Sequence, residues 1–191
     1  MNKLLGLFVG AVTLTAVSTA AQAQDDVYIS VSGGLGLFEV DDIARDAAQY
    51  VADNTGEDTT VTYDTSAFMI RGAIGTEISE KVSVEVGHFR TSELDFTFSN
   101  VNGQGTVGLS ADGFDVVGKY YITPNDLAVK AGFHKSEATA DGGGLKLSES
   151  GSGLLIGAEL SAGQNSFIGY DYYMDVAGQA NVGYLYYGMK F

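Results

Sequence analysis

The 191-residue chain has no cysteine, no tryptophan and a single proline. The lack of cysteine excludes disulfide bonds and thiolate metal sites. Positive charge is also scarce, because ten Lys and Arg stand against 24 Asp and Glu, for a formal net charge of −14. That excess of negative charge argues against a nucleic-acid partner, whose phosphates would be repelled, and against a dedicated anion channel.

Long hydrophobic runs are missing as well. No segment after the N-terminus has eighteen consecutive apolar residues, which argues against a membrane-spanning helix. The first residues instead match a secretory signal peptide, with basic Lys3, an apolar stretch from Leu4 to Val17, and the small-x-small site Ala21-Gln22-Ala23. We therefore predict a signal peptide over residues 1–23 and one mature domain over residues 24–191.

Glycine is abundant, and its pattern favours strands. The 26 glycines alternate with Val, Ile and Tyr, which argues against disorder. In the last strand every second residue can face lipid, namely Gly183, Leu185, Tyr187, Met189 and Phe191. The residues between them are polar, small or aromatic. An apolar face of this kind that ends on an aromatic residue is typical of a transmembrane β-barrel strand.

Eight strands of this type are predicted, and single-chain bacterial barrels have an even number. They cover about residues 27–38, 67–78, 82–98, 114–122, 127–138, 154–161, 167–175 and 182–191. Tight connections at 79–81, 124–126 and 162–165 alternate with longer ones at 39–66, 99–113, 139–153 and 175–181. The predicted fold is therefore all-β, an eight-stranded antiparallel transmembrane up-and-down β-barrel. A soluble β-sandwich with the apolar face as its core is the alternative.

The longest predicted loop, residues 39–66, is acidic. It holds eight Asp and Glu against Arg45 alone. Ile43, Ala47 and Val51 recur at helical spacing, which predicts a short helix. A solvated acidic loop is the simpler interpretation, and a divalent-cation or partner site is the alternative. The Asp spacing does not match an EF-hand loop.

The inward face of the predicted barrel carries charged side chains. They are Arg71, Lys119, Lys130, Lys190, Glu77, Glu85, Glu159 and Asp171. Side chains just fill the interior of an eight-stranded barrel, and buried charges must be paired. We predict that a salt-bridge network closes the lumen, formed by Arg71, Glu85, Lys119, Lys130, Glu159 and Asp171. Within it, Lys119 and Lys130 would hold Glu85 and Glu159. No cofactor, metal site or catalytic residue is predicted.

Several short motifs resemble those of the small outer-membrane β-barrels, the family that includes the transmembrane domain of outer membrane protein A, outer membrane protein X and the opacity proteins. They are Gly72-Ala73-Ile74-Gly75, Val82 to Gly87, Val117 to Tyr120, Leu127 to Phe133 and Gly157-Ala158-Glu159. The resemblance covers essentially all of the mature chain. It implies an interior set of Glu85, Lys119 and Glu159, with Gly169 where the best-known members have Arg. It also implies that Tyr187, Met189 and Phe191 form the signal that the barrel-assembly machinery recognises.

The predicted function is that of a non-enzymatic integral protein in the outer membrane of a Gram-negative bacterium, with a structural or surface-interaction role. Expected partners are outer-membrane lipid and lipopolysaccharide, the barrel-assembly machinery during biogenesis, and an extracellular partner bound through the acidic loops. A small low-conductance pore is one alternative. A lipid A-modifying enzyme is another, because His134-Lys135-Ser136, with Glu137 and Glu149 downstream, is similar to the His-x-Ser arrangement of barrel lipid A deacylases. The alternation turns His134 inward, away from a lipid substrate.

Overall fold

The structure is a computed structural model that describes residues 27–123 and 126–191. The predicted signal peptide and its cleavage site near Ala23 lie outside the described residues, as does part of the predicted turn at 124–126. The described elements are β1 (Val27–Glu39), α1 (Asp41–Thr55), β2 (Thr60–Tyr63), β3 (Ser66–Ser79), β4 (Val82–Thr91), β5 (Leu94–Asn100), β6 (Gly103–Thr123), β7 (Leu127–Gly142), β8 (Leu145–Ser161), β9 (Ser166–Val176) and β10 (Ala180–Lys190). No helix in this part of the chain is long and apolar enough to cross a bilayer.

Eight of the described strands close into an antiparallel ring in the order β1, β3, β4, β6, β7, β8, β9 and β10. The first and last strands complete it, with Val31 opposite Met189 and Leu35 opposite Leu185. A closed ring satisfies the backbone hydrogen bonds of every ring strand without leaving an edge, which lipid requires. The predicted eight-stranded antiparallel barrel is confirmed.

The outward face of the ring is apolar. Large side chains point away from the barrel on every ring strand, and they include Val31, Leu35, Phe68, Val86, Phe114, Val116, Val129, Phe133, Leu154, Ile156, Ile168 and Leu185. A continuous exposed apolar band of this kind is stable against lipid tails and not against water. The β-sandwich alternative is wrong, because the apolar face surrounds the molecule instead of filling its centre.

Two of the predicted long loops are strands. Residues 99–113 fall almost entirely in β5 and β6, and residues 139–153 in β7 and β8, so that each pair is joined by a two-residue turn. Only residues 177–179 separate β9 from β10. Outside the membrane a strand needs no apolar face. The period-two hydrophobic signal therefore disappears there although the backbone pairing continues.

The remaining long connection, residues 39–66, contains α1 and β2. The predicted helix is present and runs for 15 residues. Its N-cap residue Val40 and Ala44, one turn later, are buried in the same apolar cluster as Phe38 and Leu94. This cluster closes the mouth of the barrel on the side of the β5–β6 and β7–β8 hairpins, which we call the external end. β2 pairs with β5, so this connection is attached to the external hairpin of β5 and β6.

Candidate functional site

A layer of buried charged side chains fills the middle of the lumen. Arg71 on β3 contributes two contacts, with Nη1 at 3.0 Å from Glu85 Oε2 on β4 and Nη2 at 2.6 Å from Asp115 Oδ1 on β6. Its Nε also donates to Asp115 Oδ2 at 2.8 Å, which makes the arginine–aspartate pair bidentate. The guanidinium thus joins β3, β4 and β6 from inside the barrel.

Lys119 lies at the centre of this ion layer and bridges two carboxylates. Its Nζ lies 2.7 Å from Glu85 Oε1 and 2.8 Å from Glu159 Oε2. Because Glu85 is on β4 and Glu159 is on β8, the ammonium connects strands that are not neighbours in the ring. The interior is therefore crossed by a direct ionic contact.

Lys130 makes a separate pair. Its Nζ lies 2.6 Å from Asp171 Oδ2 and donates to the Tyr186 hydroxyl at 3.0 Å. The Tyr186 hydroxyl in turn donates to Asp171 Oδ1 at 3.3 Å. Each polar atom of this group therefore has a partner, as burial in a low-dielectric interior requires.

The structure places the six predicted network residues in the lumen as two groups, one around Arg71 and Lys119 and one around Lys130. Lys119 contacts both Glu85 and Glu159, whereas Lys130 pairs with Asp171, so the prediction that Lys130 also holds these two glutamates is wrong. Glu77 is exposed near the β3–β4 turn, where the ladder shifts register between Glu77 and Ser79. Sequence reasoning missed Asp115, although it lies two residues before Val117 and four before Lys119, on the same face of β6.

At the end of the barrel where β1 begins and β10 ends, Lys190 closes the lumen. Its Nζ donates to the Tyr121 hydroxyl at 3.1 Å and lies 3.9 Å from Glu159 Oε1. The same ammonium is 4.9 Å from the centre of the Tyr28 ring. Cation–π contact and a hydrogen bond together hold this partly exposed side chain across the mouth.

The opposite, external end is closed by apolar side chains. Phe38, Met69, Phe89, Leu94, Val176 and Val182 are buried there together with Val40 and Ala44 of the α1 start. Between this apolar layer and the ion layer, Tyr173 donates to Asp115 Oδ2 at 3.3 Å. The lumen thus contains two chemically different layers in series.

His134 and Ser136, the residues behind the lipid A-enzyme alternative, are both buried inside the barrel. His134 Nε2 lies 2.6 Å from the Met174 carbonyl, and Ser136 Oγ accepts from the Ala177 N–H at 2.7 Å. The imidazole packs edge-on against the rings of Phe89 and Tyr173, which also contact each other. Neither group faces lipid, so the arrangement that acyl transfer needs is not formed here.

Three carboxylates of residues 39–66 each bond a different side chain. Asp42 pairs with Arg45, Tyr63 donates to Asp41 Oδ1 at 2.9 Å, and Asn102 donates to Glu57 Oε2 at 2.8 Å. The hydrogen bond to Asp41 raises the pKa of the Tyr63 phenol. Among the described residues, no group of three or more His, Asp or Glu is arranged to hold a metal ion.

The residues of the predicted assembly signal lie on the lipid-facing side of the C-terminal segment. Tyr187, Met189 and Phe191 are all exposed. Phe191 also extends the pairing of β10 with β1, because its N–H donates to the Ile29 carbonyl at 2.8 Å and its carbonyl accepts from the Ile29 N–H at 3.1 Å. This aromatic residue therefore ends the seam that closes the ring.

The charge of the chain is concentrated on the external end. Residues 39–66, 90–112, 135–153 and 175–181 contain fifteen Asp and Glu and four Lys and Arg, a net charge of −11 out of −14. Inside the barrel, Arg71, Lys119, Lys130 and Lys190 balance Glu85, Asp115, Glu159 and Asp171. This end of the barrel therefore carries a strongly negative surface.

Comparison with known proteins supports the architecture. No protein-family model matches the chain, and no curated protein matches it in sequence. A crystal structure of Ail, the attachment invasion locus protein of Yersinia pestis, is 14% identical and covers 87% of this chain and 99% of Ail, with a TM-score of 0.50. A structure of Ail in complex with the heparin analogue sucrose octasulfate is 13% identical with the same coverage and a TM-score of 0.53. Neisserial surface protein A is 16% identical over 86% of this chain and 95% of that chain, with a TM-score of 0.47. The chain therefore has the fold of the small eight-stranded outer-membrane β-barrels, as indicated by the closed ring, the apolar outer band and the similarity to Ail.

Proposed function

We propose that this chain is a non-enzymatic barrel of the outer membrane of a Gram-negative bacterium, closed to ions, with a structural role or a role in surface interactions. The observation behind the proposal is that the lumen is filled by an ion layer and an apolar layer while β5 to β8 extend outward as hairpins. A barrel whose interior is occupied and whose external strands are long offers its outer surface, not a channel, for function. Export with a signal peptide cleaved near Ala23 and insertion by the barrel-assembly machinery belong to the same proposal.

Planar-bilayer recording tests the closed state. The purified, folded protein should give no steady conductance, because paired charges and packed apolar side chains leave no continuous water path. Liposomes carrying the protein should likewise retain a small trapped dye. Stable unitary currents from protein that migrates as the folded form on gels would establish the pore alternative instead.

The external partner should be cationic. The solved Ail complex contains a sulfated heparin analogue, but the external end of this chain carries a net charge of −11, which would repel a sulfated ligand. The same field attracts a basic protein or peptide and raises its association rate, and salt screens the effect. We therefore propose a basic surface partner for the acidic external end.

Binding to proteoliposomes distinguishes the two partner classes. A fluorescent cationic peptide should bind at low ionic strength and lose most of its affinity at about 1 M salt, where the Debye length is about 3 Å, whereas sucrose octasulfate should not bind. Replacing Asp41, Asp42 and Asp46 with Asn should weaken peptide binding. Replacing Glu77 and Glu80 with Gln and Asp126 with Asn, at turns on the opposite end, is the matched control and should leave binding unchanged. Binding of the sulfated ligand would contradict the proposal.

The non-enzymatic part of the proposal has its own test. The inward positions of His134 and Ser136 and their backbone partners support it. Lipid A extracted from cells with and without the protein should give the same mass spectrum. A species that appears only with the protein and disappears in Ser136→Ala would instead assign an activity.

A further inference from the structure

The external mouth is closed by one turn of α1. Val40 has no exposed surface, and Ala44 is 3% exposed. The other residues of the helix are exposed or half-buried, and Tyr50 is 71% exposed. The Ala44 N–H donates to the Val40 carbonyl at 2.9 Å, so these two residues form the first helical turn. Of the residues in and next to α1, those of this turn reach into the apolar layer of the lumen, and the later turns lie outside it.

Apart from the burial of Val40 and Ala44, few polar contacts hold the turn. Val40 offers no side-chain acceptor to cap the helix. Outside the mouth, the hydrogen bonds from Tyr63 to Asp41 and from Asn102 to Glu57 are exposed to water, which competes for them. A cavity of about 20 Å³ lies between Ile43 and the barrel residues Leu94, Leu109 and Ala111. The helix is therefore seated on the barrel without being locked into it.

We propose that the first turn of α1 is a lid that seals the external mouth, independently of the ion layer below it. The two closures act by different physics. The ion layer blocks the lumen because its side chains occupy the space, whereas the lid keeps water out of an apolar constriction, which hydrates poorly. Release of the turn opens the apolar layer to the outside while the ion layer still closes the barrel. This inference rests on the closed lumen of the proposed function. It adds the position of the outer barrier to water, which is the first turn of α1.

Thiol accessibility measures the lid, because the chain has no cysteine of its own. Ala111→Cys places one thiol in the wall of the cavity that Ile43 also lines, and Val101→Cys, at a position 85% exposed, serves as the open reference. In proteoliposomes, an impermeant thiol reagent should react with the residue-111 thiol at least tenfold more slowly than with the residue-101 thiol. Ala44→Asp should raise the rate at residue 111 at least tenfold, since it puts a carboxylate in the apolar layer.

Two further variants keep the test decisive. Tyr50→Asp adds the same charge to the exposed part of the helix and should leave the rate at residue 111 unchanged. Ala44→Gln, which puts a polar side chain in the apolar layer without adding charge, replaces Ala44→Asp if that variant loses the folded gel mobility. Equal rates at residue 111 in the parent, the opened variants and the control would overturn the lid. Conductance of the parent would instead overturn the closed lumen, so the two failures are distinguishable.

Discussion

At the scale of single residues, the stability lost when a charge of the ion layer is removed depends on how many other partners its counterion has. Buried ion pairs contribute little net stability, but removing one partner leaves an uncompensated charge in a low-dielectric interior. Glu85 has both Arg71 and Lys119, and Glu159 has Lys119 and, at longer range, Lys190. Among the described residues, Asp171 has one ion-pair partner, Lys130. The lysines are therefore not equivalent.

Lys130→Met should destabilise the barrel more than Lys119→Met. The loss of Lys130 leaves Asp171 with only the Tyr186 hydroxyl, and a buried unpaired charge costs about 3–5 kcal/mol. The loss of Lys119 leaves Glu85 paired with Arg71, so the effect should be smaller. Urea unfolding in detergent micelles measures both variants against the parent.

The double variant Lys130→Met with Asp171→Asn is the control for that experiment. It should recover part of the lost stability, because no charge then remains unpaired, and the two sites should show a coupling energy. Strictly additive losses would mean that Lys130 and Asp171 do not form a pair inside the barrel.

At the scale of elements, the molecule is divided by the membrane boundary. The ring strands carry an apolar outer face, and the same strands β6, β7 and β8 continue outward with mostly polar and small residues. The turn between β7 and β8 consists of Gly143 and Gly144, with φ of 60° and 82°. Two consecutive positive φ values define a type I′ hairpin turn, which glycine adopts without strain.

Gly143→Ala with Gly144→Ala should loosen the outer part of the β7–β8 hairpin and leave the barrel intact. A non-glycine residue in the left-handed region costs roughly 1–2 kcal/mol. Hydrogen exchange should therefore be faster over residues 137–150 and unchanged in the ring. Gly105→Ala on β6 is the matched control, because it has open space for a Cβ and no positive φ. Equal exchange in all three proteins would contradict the turn assignment.

Phe191→Ala should lower the amount of folded protein in the outer membrane, because Phe191 belongs to the proposed assembly signal. It lies on the lipid-facing side of the seam between β1 and β10. The heat-modifiable band on gels, measured in membrane fractions, reports the folded amount. Phe114→Ala removes a lipid-facing phenylalanine from β6 and should have a much smaller effect. Unchanged levels after Phe191→Ala would remove this residue from the signal.

At the scale of the whole molecule, charge and closure are arranged by compartment. The interior is balanced, and the external end holds most of the negative charge. Closure is provided by apolar side chains outside, ion pairs in the middle and Lys190 at the other end. Layers in series mean that opening any one of them does not produce a continuous water path.

Combined variants test closure by layers. Ala44→Asp alone and Lys119→Ala alone should both remain silent in planar bilayers, because each leaves the other layer in place. The two combined with Lys190→Ala should conduct, since the lumen then loses its apolar seal, its central bridge and the side chain across the other mouth. Tyr50→Asp combined with Lys119→Ala and Lys190→Ala is the control and should stay silent. Conductance from Lys119→Ala alone would place the whole barrier in the ion layer.

The sequence by itself determined which residues face out of the barrel and which face in. Alternate side chains of a strand point to opposite sides, so the period-two pattern of Val31, Phe133 or Leu185 against Lys119 or Asp171 follows from local geometry and from the solvent each face meets. The number of ring strands, the helical spacing in residues 39–66 and the presence of lumen charges could all be predicted in this way.

Only the tertiary structure decided which inward residues meet. Contacts across the lumen depend on the tilt and stagger of the strands when the ring closes, and no single strand records these quantities. For this reason Lys119 could be predicted to lie inside, but not to bridge Glu85 and Glu159, and Asp115 was missed beside Arg71. The insertion of Val40 and Ala44 into the mouth and the extension of β5 to β8 beyond the membrane are likewise properties of the closed barrel, because each depends on partners distant in sequence.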